Sequence, residues 1–151
     1  MSYDLSKPLV IGISSRALFN LEQENKIFEE QGVEAYEAYQ VTHENEILQK
    51  GAAFQLIKAF LKLNNTGLGR LVEVIIMSRN NANTCLRIFN SIQYYGLDIT
   101  RATLTSGAEI APYLKAFKTD LFLSANSVDV QSAINDGIAA GLILTGAAHA
   151  D

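Results

Sequence analysis

The sequence predicts an α/β fold, a doubly wound parallel sheet in three layers, and three observations predict it. Residues 120–144 read strand, loop, helix, strand. Apolar Leu121-Phe122-Leu123 breaks at Ser124-Ala125-Asn126, a helical pattern follows with Val128, Ala133 and Ile134 on one side, and 138–144 is apolar enough for a second strand buried on both faces. A βαβ unit of this kind requires parallel strands and a right-handed crossover. Two further short apolar runs, Leu9–Ile13 and 72–77, are β-branched and end at polar residues, and helical periods separate them.

In chain order, Leu9-Val10-Ile11-Gly12-Ile13 stops at Ser14-Ser15-Arg16 and is expected to be the first, central strand. Residues 21–42 have a helical pattern interrupted near Gly32, with Ile27 and Phe28 on one turn, Val33, Tyr36 and Tyr39 on the next, and Glu and Gln between them. Within a single domain spanning 1–151, residues 20–50 therefore suit a small helical cap or insertion over the sheet edge. Residues 52–63 place Phe54, Ile57 and Leu61 at helical spacing, and Asn64-Asn65-Thr66-Gly67-Leu68-Gly69 supplies a loop.

The second strand, 72–77, ends at Ser78-Arg79-Asn80-Asn81, which offers N-cap side chains to a helix over 82–95 that stops at Gly96. Arg101–Leu104 is a third, shorter strand with Thr105-Ser106-Gly107 as its exit. A helix over 110–117 carries Pro112 in its first turn, where the missing amide hydrogen is harmless. Gly137 falls where a helix ends in the left-handed conformation that glycine adopts most cheaply.

Composition narrows the function classes. With 151 residues, 48% hydrophobic content and two prolines, the chain suits one compact domain, and a net charge of −4 gives no basic footprint for duplex nucleic acid. One cysteine, Cys85, excludes an internal disulfide, and no His/Cys cluster makes a zinc set. His43 and His149 have no neighbouring ligand set and read as surface residues; Tyr36, Tyr39, Tyr94 and Tyr95 read as core or interface. No signal-peptide pattern opens the chain and no apolar run reaches membrane-spanning length, so a cytoplasmic protein without membrane contact is expected.

In an open parallel sheet, ligands bind outside the carboxyl ends of the strands. Four polar breaks fall on that edge: Ser14-Ser15-Arg16, Ser78-Arg79-Asn80-Asn81, Ser106-Gly107 with Lys115 beyond, and Ser124-Ala125-Asn126. Hydroxyls, amides, two arginines and a lysine around helix N-termini, with almost no carboxylate, suit a phosphate group. Ser14, Ser15, Arg16, Ser78, Arg79, Asn80, Asn81, Ser106, Gly107, Lys115, Ser124 and Asn126 are therefore the candidate ligand-binding residues. The plainer reading of each Ser or Asn is an ordinary helix cap.

Two resemblances sharpen this expectation. The 120–144 stretch is similar to the last motif of haloacid dehalogenase-like phosphatases, with Ser124, Ala125 and Asp129 at its first places, Ala133 at the helix alanine and Asp136-Gly137 at the terminal pair. Ala125 stands where that motif has its first metal-binding carboxylate. More widely, LVIGISSRALF, IFEEQGVEAYEAYQ, the SRN after the second strand, FNSIQYYGLDITRA, YLKAF and DLFLSAN resemble the N-terminal portion of the type I cytosolic 5′-nucleotidases, in order and spacing. That resemblance implies a haloacid dehalogenase-like (Rossmann-like) fold, nucleoside monophosphate substrates and a magnesium-assisted aspartyl nucleophile. The family's nucleophile segment, of the form FDGDAVLF, lies beyond the matched region, and the chain reaches Asp151 without it.

A phosphatase of this kind needs one aspartate to attack phosphorus, another to protonate the leaving oxygen, and carboxylates for magnesium. The first-strand loop offers Ser14, Ser15 and Arg16 instead, with no histidine placed to activate a serine. The expected function is a non-catalytic nucleotide-binding module, homo-oligomeric and without cofactor, that captures a nucleotide or nucleotide-derived small molecule. The alternative is a magnesium-dependent enzyme acting on nucleoside monophosphates, either a 5′-nucleotidase assembled with a catalytic partner chain or a divergent phosphohydrolase using other residues of this chain, and a weaker third is a structural subunit.

Overall fold

The computed structural model describes residues 7–145, and His149 lies outside them. Its elements are β1 Leu9–Ile13, α1 Ser15–Leu18, α2 Glu22–Gln31, α3 Val33–Thr42, α4 Phe54–Lys62 running into a 3-10 turn, β2 Val72–Ser78, α5 Ala82–Tyr94, β3 Arg101–Leu104, α6 Ala111–Ala116, β4 Leu121–Ser124, α7 Ser127–Asn135 and β5 Ala139–Leu142. The strands form one sheet in the order β3-β2-β1-β4-β5. All four pairings are parallel, with Ile11 opposite Val74 on one side and Leu121 on the other. β1 is central, flanked by β2 and β4, as the apolar runs predict.

Strand alternation sorts the core into two layers. Ile11 and Ile13 of β1 with Val72, Val74 and Ile76 of β2 face α1, α4 and α5, meeting Leu18, Phe54, Ile57, Cys85 and Ile88. Ile75 and Met77 with Phe122 face α6 and α7, meeting Leu114 and Ala133. Gly12 points into this second layer, where a Cβ would come within 3.2–3.3 Å of Met77, Leu114 and Phe122. Its lack of a side chain lets α6 sit close to the sheet.

Two sequence expectations need correction. β5 is not buried on both faces; it is an edge strand whose residues are partly or fully exposed, because it pairs only with β4 and has no strand beyond it, although Ala140 still packs against the core beside α7. The inward face of α7 is Asp129, Val130 and Ala133, whereas Val128 and Ile134 are 66% and 48% exposed. Helical geometry decides this, since residues three and four apart share a face and residues six apart do not. The glycine stops behave as predicted: Gly96 has φ 67° and Gly137 has φ 79°.

The interrupted helix over 21–42 is a hairpin of α2 and α3 joined at Gly32, which has φ 91°. Its most buried side chains in the helices are polar, Glu24 and Gln40. They meet Arg87 of α5, whose Nη1 donates to Glu24 Oε1 at 2.8 Å and to Gln40 Oε1 at 3.1 Å, while its Nε donates to the Glu46 carbonyl at 2.9 Å. Asn90 donates to the Glu44 carbonyl at 2.9 Å, and the Ser91 hydroxyl accepts from the Leu48 amide at 2.9 Å. One face of α5 thus clamps the hairpin and the chain that leaves it through hydrogen bonds.

Glu24→Ala removes the anionic partner of a buried guanidinium and is expected to destabilise the fold by about 3–5 kcal/mol in denaturant unfolding, as for other broken buried pairs. Gly51→Ala tests a different constraint. A Cβ there would lie 2.7 Å from the Phe19 carbonyl carbon and 2.8 Å from the Ala17 oxygen, both backbone, so a loss of about 1–3 kcal/mol is expected on the same measurement.

Candidate functional site

The carboxyl ends of β1, β2, β3 and β4 open onto a cleft of about 500 Å³, roofed by the α2–α3 hairpin. Every candidate residue from the sequence lines it except Lys115. Lys115 lies in the last turn of α6 and is exposed outside the cleft, because the strand end and the residues before α6 take up the near side, leaving that turn one helix length away.

Local sequence explains how each loop is held. Ser14, extended at the end of β1, caps α1 by accepting from the Ala17 amide at 3.2 Å, and it also accepts from the Ala125 amide at 3.2 Å, which ties the β1 loop to the β4 loop. Asn81 caps α5 through the Thr84 amide, and its amide nitrogen donates to Glu37 Oε1 at 2.7 Å. Asn126 caps α7 through the Val128 and Asp129 amides at 2.9 and 3.1 Å. The plain cap reading therefore holds for Ser14, Asn81 and Asn126, and the same capping makes the loops rigid.

Ser78 and Ser124 do not cap helices. Each buried hydroxyl accepts from the backbone amide two residues on, Asn80 and Asn126, turning the chain sharply out of its strand. Ser106 and Gly107 both have left-handed backbones, φ 51° and 92°, and their amides donate to the Asn80 and Arg79 carbonyls, which staples the β3 exit to the β2 exit.

The electrostatics overturn the expectation of almost no carboxylate. Arg79 makes a two-point ion pair with Asp129 of α7, and its remaining arm donates to the Gly107 carbonyl at 3.2 Å. Those hydrogen bonds to Asp129 hold the guanidinium pKa above its ordinary value. Arg16 pairs with Glu22 through Nε at 3.0 Å and Nη2 at 3.1 Å, and this bond lowers the Glu22 pKa. Asp129 and Glu37 are themselves part of the lining. Motif spacing alone marks Asp129, whereas Glu22 and Glu37, far from any strand end, carry no local signal that they stand at or beside the site.

The hairpin adds an apolar wall that sequence reading assigned to core or interface. Leu21, Phe28, Val33 and Tyr36 line the cleft, with Phe28 and Tyr36 edge to face at 5.9 Å. Tyr36 donates to Asn80 Oδ1 at 2.7 Å, and its burial pushes the phenol pKa up. This bond joins the wall to the β2 loop. The helical spacing of 33 and 36 marks the face, but only the hairpin's placement shows what it covers.

The described residues do not fit magnesium. No group of three or more His, Cys, Asp or Glu side chains comes together among them, and Asp129, the one acidic residue at the β4 loop motif, is committed to Arg79. Cys85 offers no nucleophile either, since it is buried and burial pushes its thiol up to about 11. No described helix is long and apolar enough to cross a membrane.

The fold and cleft define a three-layer, haloacid dehalogenase-like α/β protein with its polar site at the carboxyl edge of the sheet. The 5′-nucleotidase family profile matches residues 1–151, and the chain belongs to that family. It is 41% identical over 146 residues to cytosolic 5′-nucleotidase 1B of Homo sapiens, an alignment covering 92% of this chain and 24% of that protein. The chain therefore spans 24% of the length of this curated relative. No solved structure matches it.

Asn126→Ala removes both cap bonds of α7 and is expected to lower stability by about 1 kcal/mol in thermal unfolding. Lys115→Ala, outside the cleft, should stay within about 0.5 kcal/mol of the parent.

Proposed function

We propose that the chain is a non-catalytic nucleotide-binding module that captures a phosphorylated nucleoside or a nucleotide-derived signal, acting by sequestration or sensing. The observation that carries this is one cleft with two chemically different walls. Strand-end hydroxyls, amides and the N-termini of α5 and α7 form the first, and Phe28, Tyr36, Leu21 and Val33 form the second. A phosphate suits the first wall, where backbone N–H groups and helix dipoles favour an anion, and a base suits the second. A volume of about 500 Å³ lies in the range of small-molecule sites.

The absence of hydrolysis is argued from what faces the cleft. Asp129 is neutralised by Arg79, Glu37 is held by the Asn81 amide, and the serine hydroxyls have no histidine in the lining to act as base. Binding, orientation and exclusion of water are within reach of these residues. Activation of a nucleophile is not.

One observation favours a second reading, a magnesium-dependent 5′-nucleotidase or phosphohydrolase formed with a partner chain. The matched region is 24% of the curated relative, so the carboxylates of such chemistry would come from residues outside this cleft.

The test is calorimetric titration of nucleosides and nucleotides with and without magnesium, together with an assay of phosphate release. Nucleotide binding without release is expected; steady magnesium-dependent release by the purified chain overturns the non-catalytic reading. Phe28 is 46% exposed, so Phe28→Ala should leave the fold intact while weakening nucleotide binding by about tenfold or more, the scale of one base-stacking contact.

A further inference from the structure

The cleft carries two positive and two negative side chains in its lining, Arg16 and Arg79 against Glu37 and Asp129. Each arginine already has a carboxylate partner, Glu22 for Arg16 and Asp129 for Arg79. Resting on the reading that this cleft binds a nucleotide, we propose that it selects a phosphodiester, with one negative charge, over a terminal phosphomonoester with nearly two.

A phosphomonoester near neutral pH carries a charge of about −1.5 to −2 and needs cations that nothing else neutralises. Three of the five N–H groups of Arg79 are engaged, on Nε and Nη2 with Asp129 and on Nη1 with Gly107, and these bonds hold the guanidinium in place. Drawing it toward a ligand strips Asp129, which is 6% exposed and has no other side-chain donor among the described residues. Burying an unpaired carboxylate is unfavourable, and a dianion beside it adds like-charge repulsion. Glu109 also acts on Arg79 and increases the negative potential there.

A singly charged diester asks for less. The hydroxyl of Ser15, buried at the start of α1, and the side-chain amide nitrogen of Asn126 have no hydrogen-bond partner among the described residues, and both residues line the cleft. These neutral donors, with the positive ends of α5 and α7, meet a monoanion without dismantling either ion pair. The class of ligand is thus a cyclic nucleotide, a dinucleotide or another nucleotide whose phosphate is esterified twice.

The experiment uses the full chain in magnesium-free buffer and titration calorimetry. The probes are the four common ribonucleosides, their 5′-monophosphates, their 5′-methylphosphates and their 3′,5′-cyclic monophosphates, at pH 7.5 and 5.5. For the base the cleft accepts, at least one diester should bind tenfold or more tightly than the monoester at pH 7.5. The gap should close at pH 5.5, where the monoester, with its second pKa of about 6, takes up a proton. The charged groups lining the cleft are Arg16 from α1, Glu37 from α3, Arg79 after β2 and Asp129 from α7, with Glu22 of α2 paired to Arg16 and the exposed Glu109 acting on Arg79 from before α6. No histidine lines the cleft, so the change with pH belongs to the ligand. Glu22→Gln, at a partly exposed position, frees Arg16 and should raise monoester affinity severalfold with little change for the diester.

A monoester that binds as tightly as both diesters at pH 7.5, or a nucleoside that binds as tightly as either, overturns the inference while leaving nucleotide or nucleoside capture in place. If nothing in the panel binds, the proposed function falls and this inference with it.

Discussion

Everything at the site depends on β1 lying between two parallel neighbours. Pairing with β2 on one side and β4 on the other brings the ends of three strands into one line, so that Ser14, Ser78 and Ser124 leave the sheet side by side. Parallel pairing requires each return to pass through a crossover, and the helices α5 and α7 therefore start at that same edge. A polar cleft at the carboxyl ends follows from topology before any particular side chain is considered. What the residues add is fixity: Ser14 reaches across to the Ala125 amide, and the β3 exit is stapled to the β2 exit by two backbone bonds.

The second wall of the cleft has a different origin. The α2–α3 hairpin is charged and polar along most of its length, and its buried helix residues Glu24 and Gln40 cannot hold it by the hydrophobic effect. Arg87 supplies the attachment instead. A guanidinium can serve three acceptors in fixed directions, and here it meets Glu24, Gln40 and the Glu46 carbonyl at once, each from a different part of the chain. Directional bonds fix orientation as well as proximity, which is what places Phe28 and Tyr36 over the strand ends. Tyr36 closes the connection by donating to Asn80 in the β2 loop.

The scaffold was legible in the sequence because its signals are local. Runs such as Leu9–Ile13 alternate between the two core layers, Gly96 and Gly137 stop helices, and Pro112 marks the start of α6. The edge position of β5 was not legible, since an apolar run states only that a strand can be buried, and burial depends on what lies beyond it. The polar half of the site was visible through the loop composition. The pairing of its charges was not, because Glu22 and Asp129 reach the arginines from helices whose placement is a tertiary matter, even though motif spacing had marked Asp129. Lys115 failed for the converse reason: closeness in sequence to the β3 exit did not become closeness in space.

The pairing of those carboxylates also supports the proposed separation of binding from hydrolysis within this cleft. A phosphoryl-transfer site keeps its carboxylates free of cations so that they can attack, donate a proton or hold a metal. Here the acidic residue of the β4–α7 motif is spent on Arg79, and Ala125 occupies the position four residues before it, where a second acid would be required to share a metal. The pair with Asp129 locks Arg79, and the bond to Gly107 extends that lock to the β3 exit, so two loops and the first turn of α7 are braced by one guanidinium. A residue that braces loops in this way cannot also move onto a transferring phosphoryl group without releasing them. The interaction that makes the cleft rigid and nearly neutral also commits its charges to one another, which is what supports the proposal of a preorganised surface for recognition.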